Sequence, residues 1–260
     1  MIVTEKSPAK INLFLHVTGK RDDGYHLLSS LVVFSDRAYD SIIIEPANGF
    51  SFEVRGDQNL QNDDNLIVKA AKALSAHTGN ALKCKIILEK NLPIAGGVGG
   101  GSSNAAAALR ALEQYWKNLP FQRNHSIDKG TAFDALLLSL GADVPVCYFN
   151  QPCLMRGIGE IIDPLPYALP DFEITLHPSS QQLSTPDVFQ AFDKKFAKDI
   201  QTHDFPQWET VDDMCQWLLE NTENSLEKIA LSLSNITRPD TENFTRLSGS
   251  GPTFFEISTA

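Results

Sequence analysis

The chain has 260 residues, of which 42% are hydrophobic, 9% aromatic and 21% charged, an ordinary globular composition that disfavours intrinsic disorder. Its 22 Lys and Arg against 32 Asp and Glu give a formal net charge of -10. This sign disfavours a duplex nucleic-acid partner, because such binding needs basic side chains to neutralise phosphates. Residues 1–150 carry 15 basic and 15 acidic side chains, and residues 151–260 carry 7 and 17. The whole acidic excess therefore lies in the second part, which suggests two regions with different roles.

The length and the cysteines narrow the class of protein further. A chain of this length holds one large domain or two small ones, either with a sizeable core. No apolar run approaches the ~18 residues of a membrane span, and the N-terminus has Glu5 where a secretory signal needs net positive charge. The four cysteines are Cys84, Cys147, Cys153 and Cys215. They form no C-x-x-C pair, so we expect reduced core thiols rather than zinc or redox chemistry, in a cytoplasmic protein.

In the first half of the chain, hydrophobic periodicity predicts strands and then helices. Residues 9–17 alternate between apolar side chains on one face and Lys10, Asn12, Phe14 and His16 on the other, which predicts one half-buried strand. A turn follows at 18–24. Further strands are predicted over Leu27–Phe34, Asp40–Ile44 and Cys84–Glu89. Helices are predicted over 64–77, from Ser102 or Ser103 to about Trp116, and over Lys129–Leu140 with Gly141 as the stop.

In the second half, a proline-rich stretch at 163–170 predicts a boundary. A strand is predicted over Phe172–Leu176, and Thr185 and Pro186 predict the start of a helix. Two helical segments are predicted, around Val211–Leu219 and Leu226–Leu233. The tail Arg246–Ile257 predicts a glycine loop that enters a strand.

The most informative segment is Pro93-Ile-Ala-Gly-Gly-Val-Gly-Gly-Gly-Ser-Ser-Asn104, where five of the 16 glycines fall within residues 96–101. Glycines allow positive φ and close backbone approach, so several N–H groups can converge on an anion at the start of a helix. The segment is not a Walker A loop, because Ser102-Ser103 replaces the Lys-Ser/Thr pair, and Ser102 stands where a Rossmann loop has its third glycine. The pattern favours a phosphate-binding loop over a flexible connector.

Three segments in order resemble the motifs of the GHMP kinases: Ser7-Pro-Ala-Lys-Ile-Asn-Leu13, Pro93–Ala107 and Leu247-Ser-Gly-Ser-Gly-Pro-Thr-Phe254. The resemblance implies an α+β protein with two domains. These are a ribosomal-protein-S5-like α/β domain over residues 1–155, which binds ATP, and a ferredoxin-like α/β sandwich over 156–260. It also implies an active site in the cleft between them. Members of the family usually continue for a further helix and strand after the third motif, so we expect either that the second domain lacks an element or that the recorded chain is truncated.

Further segments resemble one branch of this family. They are Gly19-Lys-Arg-Asp-Asp-Gly-Tyr-His26, Asp64-Asn-Leu-Ile67 and Leu140-Gly-Ala-Asp-Val-Pro145. Enzymes of this branch use ATP to phosphorylate the 2-hydroxyl of 4-diphosphocytidyl-2-C-methyl-D-erythritol, in the non-mevalonate route to isoprenoids. The implied substrate is thus a small molecule with a cytidine diphosphate group, and ATP with Mg²⁺ is the co-substrate. We expect no prosthetic group, no nucleic acid, no membrane partner, and a monomer or weak homodimer.

The resemblance implies that Asp143 is the catalytic base and Lys10 its partner. The chemistry fits, because an attacking alcohol needs a carboxylate to accept its proton and a fixed cation stabilises developing negative charge. Asn12 lies on the same strand face as Lys10 and corresponds to a substrate-binding asparagine. From the residues alone, Asp143 would be interpreted as a turn residue after Gly141, and Lys10 as a solvated lysine on a strand.

The implied cytosine site consists of Tyr25, His26 and Phe189. Stacking of a base on an aromatic ring is worth ~1–3 kcal/mol, so a cytosine held between two rings is a reasonable design. Without the resemblance, Tyr25 and His26 would be an exposed pair in a turn and Phe189 a core residue on a helix face.

The implied ATP contacts are Asn65 and the loop residues Pro93, Ile94, Ala95, Gly96, Gly97, Val98, Gly99, Gly100, Gly101, Ser102 and Ser103. Ala95 stands where many family members have a glycine, a change that the loop should accommodate. Ser103 corresponds to a serine that approaches Mg²⁺ in related kinases, with the metal carried by ATP. Lys90 faces either the nucleotide or the solvent.

Two other functions stay open. One is a kinase for a different small alcohol, such as homoserine or mevalonate, against which the Asp-Gly-Tyr-His element and Phe189 argue. The other is a non-catalytic binding protein on the same fold. The presence of Lys10, Asp143 and the complete glycine loop argues against this second alternative.

Overall fold

Strands and helices are mixed along the chain in the structure, a computed structural model that describes residues 1–94, 96–118, 130–193 and 195–259. The described residues form two compact units that interleave in sequence. The first unit comprises residues 1–9, 38–92 and 99–150, and the second comprises 10–37, 93–98 and 151–260. The predicted domain boundary at residue 155 stays a prediction. Within the described residues, no helix combines the length and apolar character that crossing a bilayer requires.

The described residues contain ten strands and seven α-helices. The strands are β1 (Val3–Asn12), β2 (His16–Lys20), β3 (His26–Pro46), β4 (Ser51–Arg55), β5 (Cys84–Glu89), β6 (Cys153–Gly157), β7 (Ile161–Pro164), β8 (Phe172–His177), β9 (Phe244–Leu247) and β10 (Phe254–Thr259). The helices are α1 (Leu66–Thr78), α2 (Gly100–Lys117), α3 (Thr131–Leu140), α4 (Val144–Phe149), α5 (Thr185–Gln190), α6 (Val211–Asn221) and α7 (Glu227–Leu233).

The first unit packs helices on a sheet. β5 pairs parallel with β4 and antiparallel with the second part of β3. α2 contacts α1 and α4, and its buried alanines at 105–108 have side chains short enough for neighbouring elements to approach closely. Ile44 and Ile86 from the strands join Leu109 and Leu112 of α2 in one buried cluster. This core fixes α2, and with it the helix N-terminus that follows the glycine loop.

The second unit contains two groups of paired strands. The first part of β3 pairs antiparallel with β2 and with β6, and β6 pairs with β7. The other group is an antiparallel sheet in the order β8, β10, β9. Val17 of β2 packs with Val188 of α5 and Ile229 of α7, and Phe189 lies against this cluster. The cluster thereby places α5 beside the start of β3.

The prediction of one half-buried strand over residues 9–17 was wrong in two respects, because β1 ends at Asn12 and β2 begins at His16, and because both faces of this segment are buried. The backbone exchanges partners between β1 and β2. The N–H of Leu13 donates to the Leu31 carbonyl, whereas Leu15 exchanges hydrogen bonds with Glu223 and Ser225. The side chains alternate through the break, so periodicity does not reveal it.

The two strands predicted over Leu27–Phe34 and Asp40–Ile44 are a single strand, β3. Its start pairs with β6 and its end with β5, so the polar residues between the two pairings remain extended. β4, β6, β7 and α4 were not predicted. Two predicted helix starts were also wrong, since α1 begins at Leu66 and α2 at Gly100. α3 begins at Thr131, and residue 129, where its start was predicted, lies outside the described residues.

Candidate functional site

A chain of buried polar side chains begins at Lys10 in the second unit. The Lys10 ammonium donates to Asn12 Oδ1 at 2.9 Å, and Asn12 Nδ2 donates to Ser30 Oγ at 2.7 Å. Ser30 Oγ then donates to the Phe14 carbonyl at 2.6 Å. Because the single hydroxyl proton of Ser30 is used on Phe14, its oxygen accepts from Asn12, which fixes the orientation of the amide. Lys10 is 3% exposed, so it is a buried cation rather than a solvated lysine on a strand.

Two residues that support this chain were not identified from the sequence. Ser30 is fully buried in β3, and a polar Ser29-Ser30 pair inside the otherwise apolar stretch Leu27–Phe34 was the available signal. Arg246, 6% exposed, donates to the Leu13 carbonyl and to the carbonyls of Leu218 and Thr222 at the end of α6. Burial lowers the pKa of Arg246 to about 10. It joins the residue after Asn12 to a helix C-terminus, where a cation is favoured.

Residues 96–98 of the glycine loop pack on the third motif, Leu247–Phe254, also in the second unit. The Lys10 N–H donates to the Val98 carbonyl at 2.9 Å, and Ser248 Oγ donates to the Gly97 carbonyl at 3.1 Å. Gly97 has φ of +68°, and a Cβ atom there would lie 2.4 Å from the Gly251 carbonyl oxygen. Only glycine fits this position.

The Asn224 side chain fixes the turn at residues 248–251 through hydrogen bonds. Its Nδ2 donates to the carbonyls of Leu247 and Gly249, both at 2.8 Å, and its Oδ1 accepts the Leu226 N–H. The third motif is thus a rigid platform for Gly97, and Asn224 is a further residue that the sequence did not reveal.

The second part of the loop forms the N-terminus of α2 in the first unit. Gly99, at φ of +65°, turns the chain into the helix, and Gly100 and Gly101 form its first turn. The N–H groups of this turn have no partner within the helix, so they are available to an anion. Because Gly99 makes this turn, the helix begins at Gly100 and not at Ser102 or Ser103. Ser103 is buried, and its Oγ donates to the Pro8 carbonyl at 2.7 Å, whereas Ser102 is partly exposed.

Asp143 precedes α4 in the first unit. It occupies the N-cap position, with φ of -86° and ψ of -8°, but among the described residues its side chain makes no capping hydrogen bond to that helix. It is partly exposed. Helix capping therefore does not explain an acidic side chain here, and its role as a base stays a prediction.

Asn65 and Lys90, also in the first unit, each have structural contacts. Asn65 caps α1, since its Oδ1 accepts the Ile67 N–H at 2.9 Å and its Nδ2 donates to the Leu60 carbonyl. Its predicted contact with adenine stays a prediction. Lys90 is not solvated, because its ammonium lies 2.8 Å from Asp40 Oδ2 with the side chain 8% exposed. The solvent-facing alternative for Lys90 was wrong.

Two of the three residues predicted to bind cytosine, His26 and Phe189, contact each other within the second unit; their role stays a prediction. The His26 and Phe189 rings stack with centroids 5.3 Å apart and an interplanar angle of 29°. Phe192 meets His26 edge-on at 5.7 Å. Burial, followed by the charge of Lys20, lowers the pKa of His26, so its imidazole is neutral near pH 7. Tyr25 is 58% exposed, at the end of a tight turn, and its ring is accessible to a ligand.

No group of three or more His, Cys, Asp or Glu side chains within the described residues is arranged to hold a metal ion. The four cysteines are free thiols. Burial raises the pKa of the Cys84 and Cys215 thiols to about 11 and that of Cys153 to about 12, which keeps them protonated and unreactive.

The second unit thus brings together Lys10, Asn12, Gly97 and Val98, and separately His26 and Phe189. Asn65, the start of α2 and Asp143 belong to the first unit. Ala95 lies outside the described residues.

The chain is similar in sequence and in structure to proteins that are named as kinases. Residues 65–151 match the GHMP kinases N terminal domain. The chain is 40% identical over 263 residues to a 4-diphosphocytidyl-2-C-methyl-D-erythritol kinase of Cereibacter sphaeroides (strain KD131), covering 97% of this chain and 88% of the relative. Identity is 42% over 273 residues to the enzyme of that name from Brucella melitensis biotype 1, covering 98% and 86%. A crystal structure of 4-(cytidine 5'-diphospho)-2C-methyl-D-erythritol kinase is similar with a TM-score of 0.71 and 28% identity, covering 98% of this chain and 90% of that one.

Proposed function

The chain belongs to the 4-diphosphocytidyl-2-C-methyl-D-erythritol kinases of the GHMP kinase family, and we propose that it phosphorylates the 2-hydroxyl of that alcohol with ATP. The products are the 2-phosphate and ADP, in the methylerythritol phosphate route to isoprenoids. The observation that carries the proposal is the placement of Lys10. Its buried ammonium donates a hydrogen bond to Asn12, and its backbone N–H donates one to the Val98 carbonyl of the glycine loop.

The reaction joins the 2-hydroxyl oxygen to the γ-phosphorus and breaks the bond from that phosphorus to the bridging oxygen of ADP. Asp143 accepts the hydroxyl proton, a general-base contribution of ~10²–10⁴-fold. Lys10 stabilises the negative charge that develops on the attacking oxygen and on the phosphoryl group. Its burial strengthens this effect, because a charge in a low-dielectric setting is poorly screened. Asn12, oriented by Ser30, binds the alcohol.

In this proposal, backbone N–H groups bind the phosphates, rather than a cluster of Lys and Arg side chains. The free N–H groups at the start of α2 and the positive φ of Gly97 and Gly99 suit a polyanion. The residues present fit a nucleotide whose Mg²⁺ is held chiefly by phosphate oxygens. When bound, Mg²⁺ neutralises phosphate charge. Ser102 is better exposed than Ser103 for any contact on this side.

The aromatic side chains of Tyr25, His26 and Phe189 bind the cytosine of the substrate. His26 and Phe189 form a stacked pair of rings, and Tyr25 adds an accessible ring, a set that suits a pyrimidine base. The cytoplasmic location and the monomeric or weakly dimeric state expected from the sequence remain part of this proposal.

A coupled assay of ADP release tests the proposal. Equal concentrations of 4-diphosphocytidyl-2-C-methyl-D-erythritol, homoserine and mevalonate are compared with ATP and Mg²⁺. We expect kcat/KM to be highest for the cytidyl alcohol by orders of magnitude. Preference for homoserine or mevalonate would reassign the substrate, and no ADP release with any of the three would indicate a non-catalytic protein.

A further inference from the structure

A buried carboxylate fixes the chain immediately before the glycine loop. Asp40, on β3, is fully buried. Its Oδ1 accepts the backbone N–H groups of two successive residues, Asn91 at 2.6 Å and Leu92 at 2.7 Å. Its Oδ2 accepts the Lys90 ammonium at 2.8 Å. One side chain thus holds three consecutive residues that end where the loop begins at Pro93.

Further contacts enclose the same turn. The Lys90 ammonium also donates to the Leu92 carbonyl at 2.5 Å, and the Lys90 N–H donates to the Arg55 carbonyl at 2.9 Å. A Cβ atom on Gly56 would lie 3.1 Å from the Lys90 carbonyl oxygen, so the backbone is packed on that side as well. The turn over residues 90–92 therefore has little freedom to move.

Stability alone does not account for a charged pair here. The desolvation of two buried charges offsets most of their attraction, and an apolar pair of similar volume is often as stable. A carboxylate offers what an apolar side chain does not, namely one acceptor for two successive amides, of which that of Leu92 is buried. Loops that bind phosphate through backbone N–H groups need this accuracy, because a displacement of ~1 Å costs up to ~10²-fold in rate.

Resting on the proposed kinase function, we propose that Asp40 is a positioning residue for nucleotide binding. It acts through the backbone of Asn91 and Leu92, which sets the direction in which the chain enters the phosphate-binding loop. Lys90 neutralises the carboxylate and does not itself contact the nucleotide.

Two double variants of equal charge and similar shape isolate this role. Asp40→Asn with Lys90→Met keeps an oxygen that accepts both amides, whereas Asp40→Leu with Lys90→Met removes it. The probe is AMP-PNP with Mg²⁺, measured by calorimetry, together with KM for ATP, KM for the alcohol and kcat. Ile257→Ala, a cavity in the sheet of β8, β10 and β9, is the control for general destabilisation.

We expect the asparagine variant to bind AMP-PNP about as tightly as the wild type. The leucine variant should bind it roughly 10- to 100-fold more weakly, with KM for ATP raised and KM for the alcohol unchanged. Ile257→Ala should lower the unfolding midpoint and leave AMP-PNP affinity as it is. Equal affinities for the two double variants, or equal loss in both, would overturn the inference, the second because it makes Lys90 a direct contact.

If the leucine variant does not fold, the asparagine variant still tests the inference. Weak AMP-PNP binding by the folded asparagine variant would contradict the role of Asp40. Failure of the proposed function is distinguishable from failure of this inference. A wild type that binds no AMP-PNP refutes the kinase function, whereas normal wild-type binding with indifferent variants refutes only the role of Asp40.

Discussion

Replacing Gly97 by alanine tests the packing of the glycine loop on the third motif. The new Cβ atom would lie 2.4 Å from the Gly251 carbonyl oxygen and 2.7 Å from that of Ser248. Normal contact needs roughly 1 Å more. Because both neighbours are backbone atoms in a braced turn, the loop must move rather than a side chain.

The magnitude follows from two separate costs. The left-handed conformation costs alanine about 1–2 kcal/mol, and overpacking adds about 1–3 kcal/mol. Gly79 provides the matched control, because it has φ of +71° and nothing within 4 Å of its would-be Cβ atom. Gly79→Ala therefore carries only the first cost, and Gly97→Ala should be more destabilising by about 1–3 kcal/mol.

Urea unfolding of both variants measures the difference, and calorimetry with AMP-PNP measures the effect on the loop. We expect Gly97→Ala to weaken AMP-PNP binding by at least roughly tenfold, and Gly79→Ala to leave it unchanged. If the two variants are equally destabilised, the close approach of Gly97 to Gly251 does not exist in solution and the reasoning is refuted.

Three other predictions concern chemistry, recognition and pH. Asp143→Asn and Lys10→Ala should each lower kcat by ~10²–10⁴-fold while the protein still folds, and near-normal kcat would exclude the assigned roles. Phe189→Ala should raise KM for the cytidyl alcohol and not for ATP, by the factor that a lost stack of ~1–3 kcal/mol gives, whereas equal effects on both would contradict a role in base recognition. Burial lowers the pKa of His16 below its usual 6.5, and its ring nitrogens contact the Lys198 carbonyl and the Glu223 N–H. As the pH decreases below 6.5, the His16 imidazole takes up a proton more readily in the unfolded state than in the folded state, so the free energy of unfolding decreases. This decrease should be smaller in His16→Gln.

Local patterns in the sequence predicted much of the fold. β5 was predicted with its exact bounds, Cys84–Glu89, because its apolar run is short and flanked by polar residues. The stop of α3 at Gly141 was also predicted, since a glycine after a helical pattern is a local signal. The glycine-rich segment was identified as a loop before a helix for the same reason.

Features that depend on distant partners were not predictable. Lys90 was left open between nucleotide and solvent because its partner, Asp40, lies 50 residues away. Ser30 accepts a hydrogen bond from Asn12, and Arg246 donates one to the Leu13 carbonyl. Both contacts join residues that are far apart in the sequence, so no local pattern indicates them. The break between β1 and β2 escaped detection because periodicity reports the faces of a strand and not its hydrogen-bond partners.

The pairing of Gly97 with Ser248 has a consequence for synthesis of the protein. The two residues are separated by 151 positions, and contacts of such long range form late because a large loop must first close. A nascent chain that has emerged past α2 already carries every glycine of the loop, yet it lacks the turn at residues 248–251 against which Gly97 packs. We therefore expect the loop to reach its folded conformation only after residues 248–251 have left the ribosome.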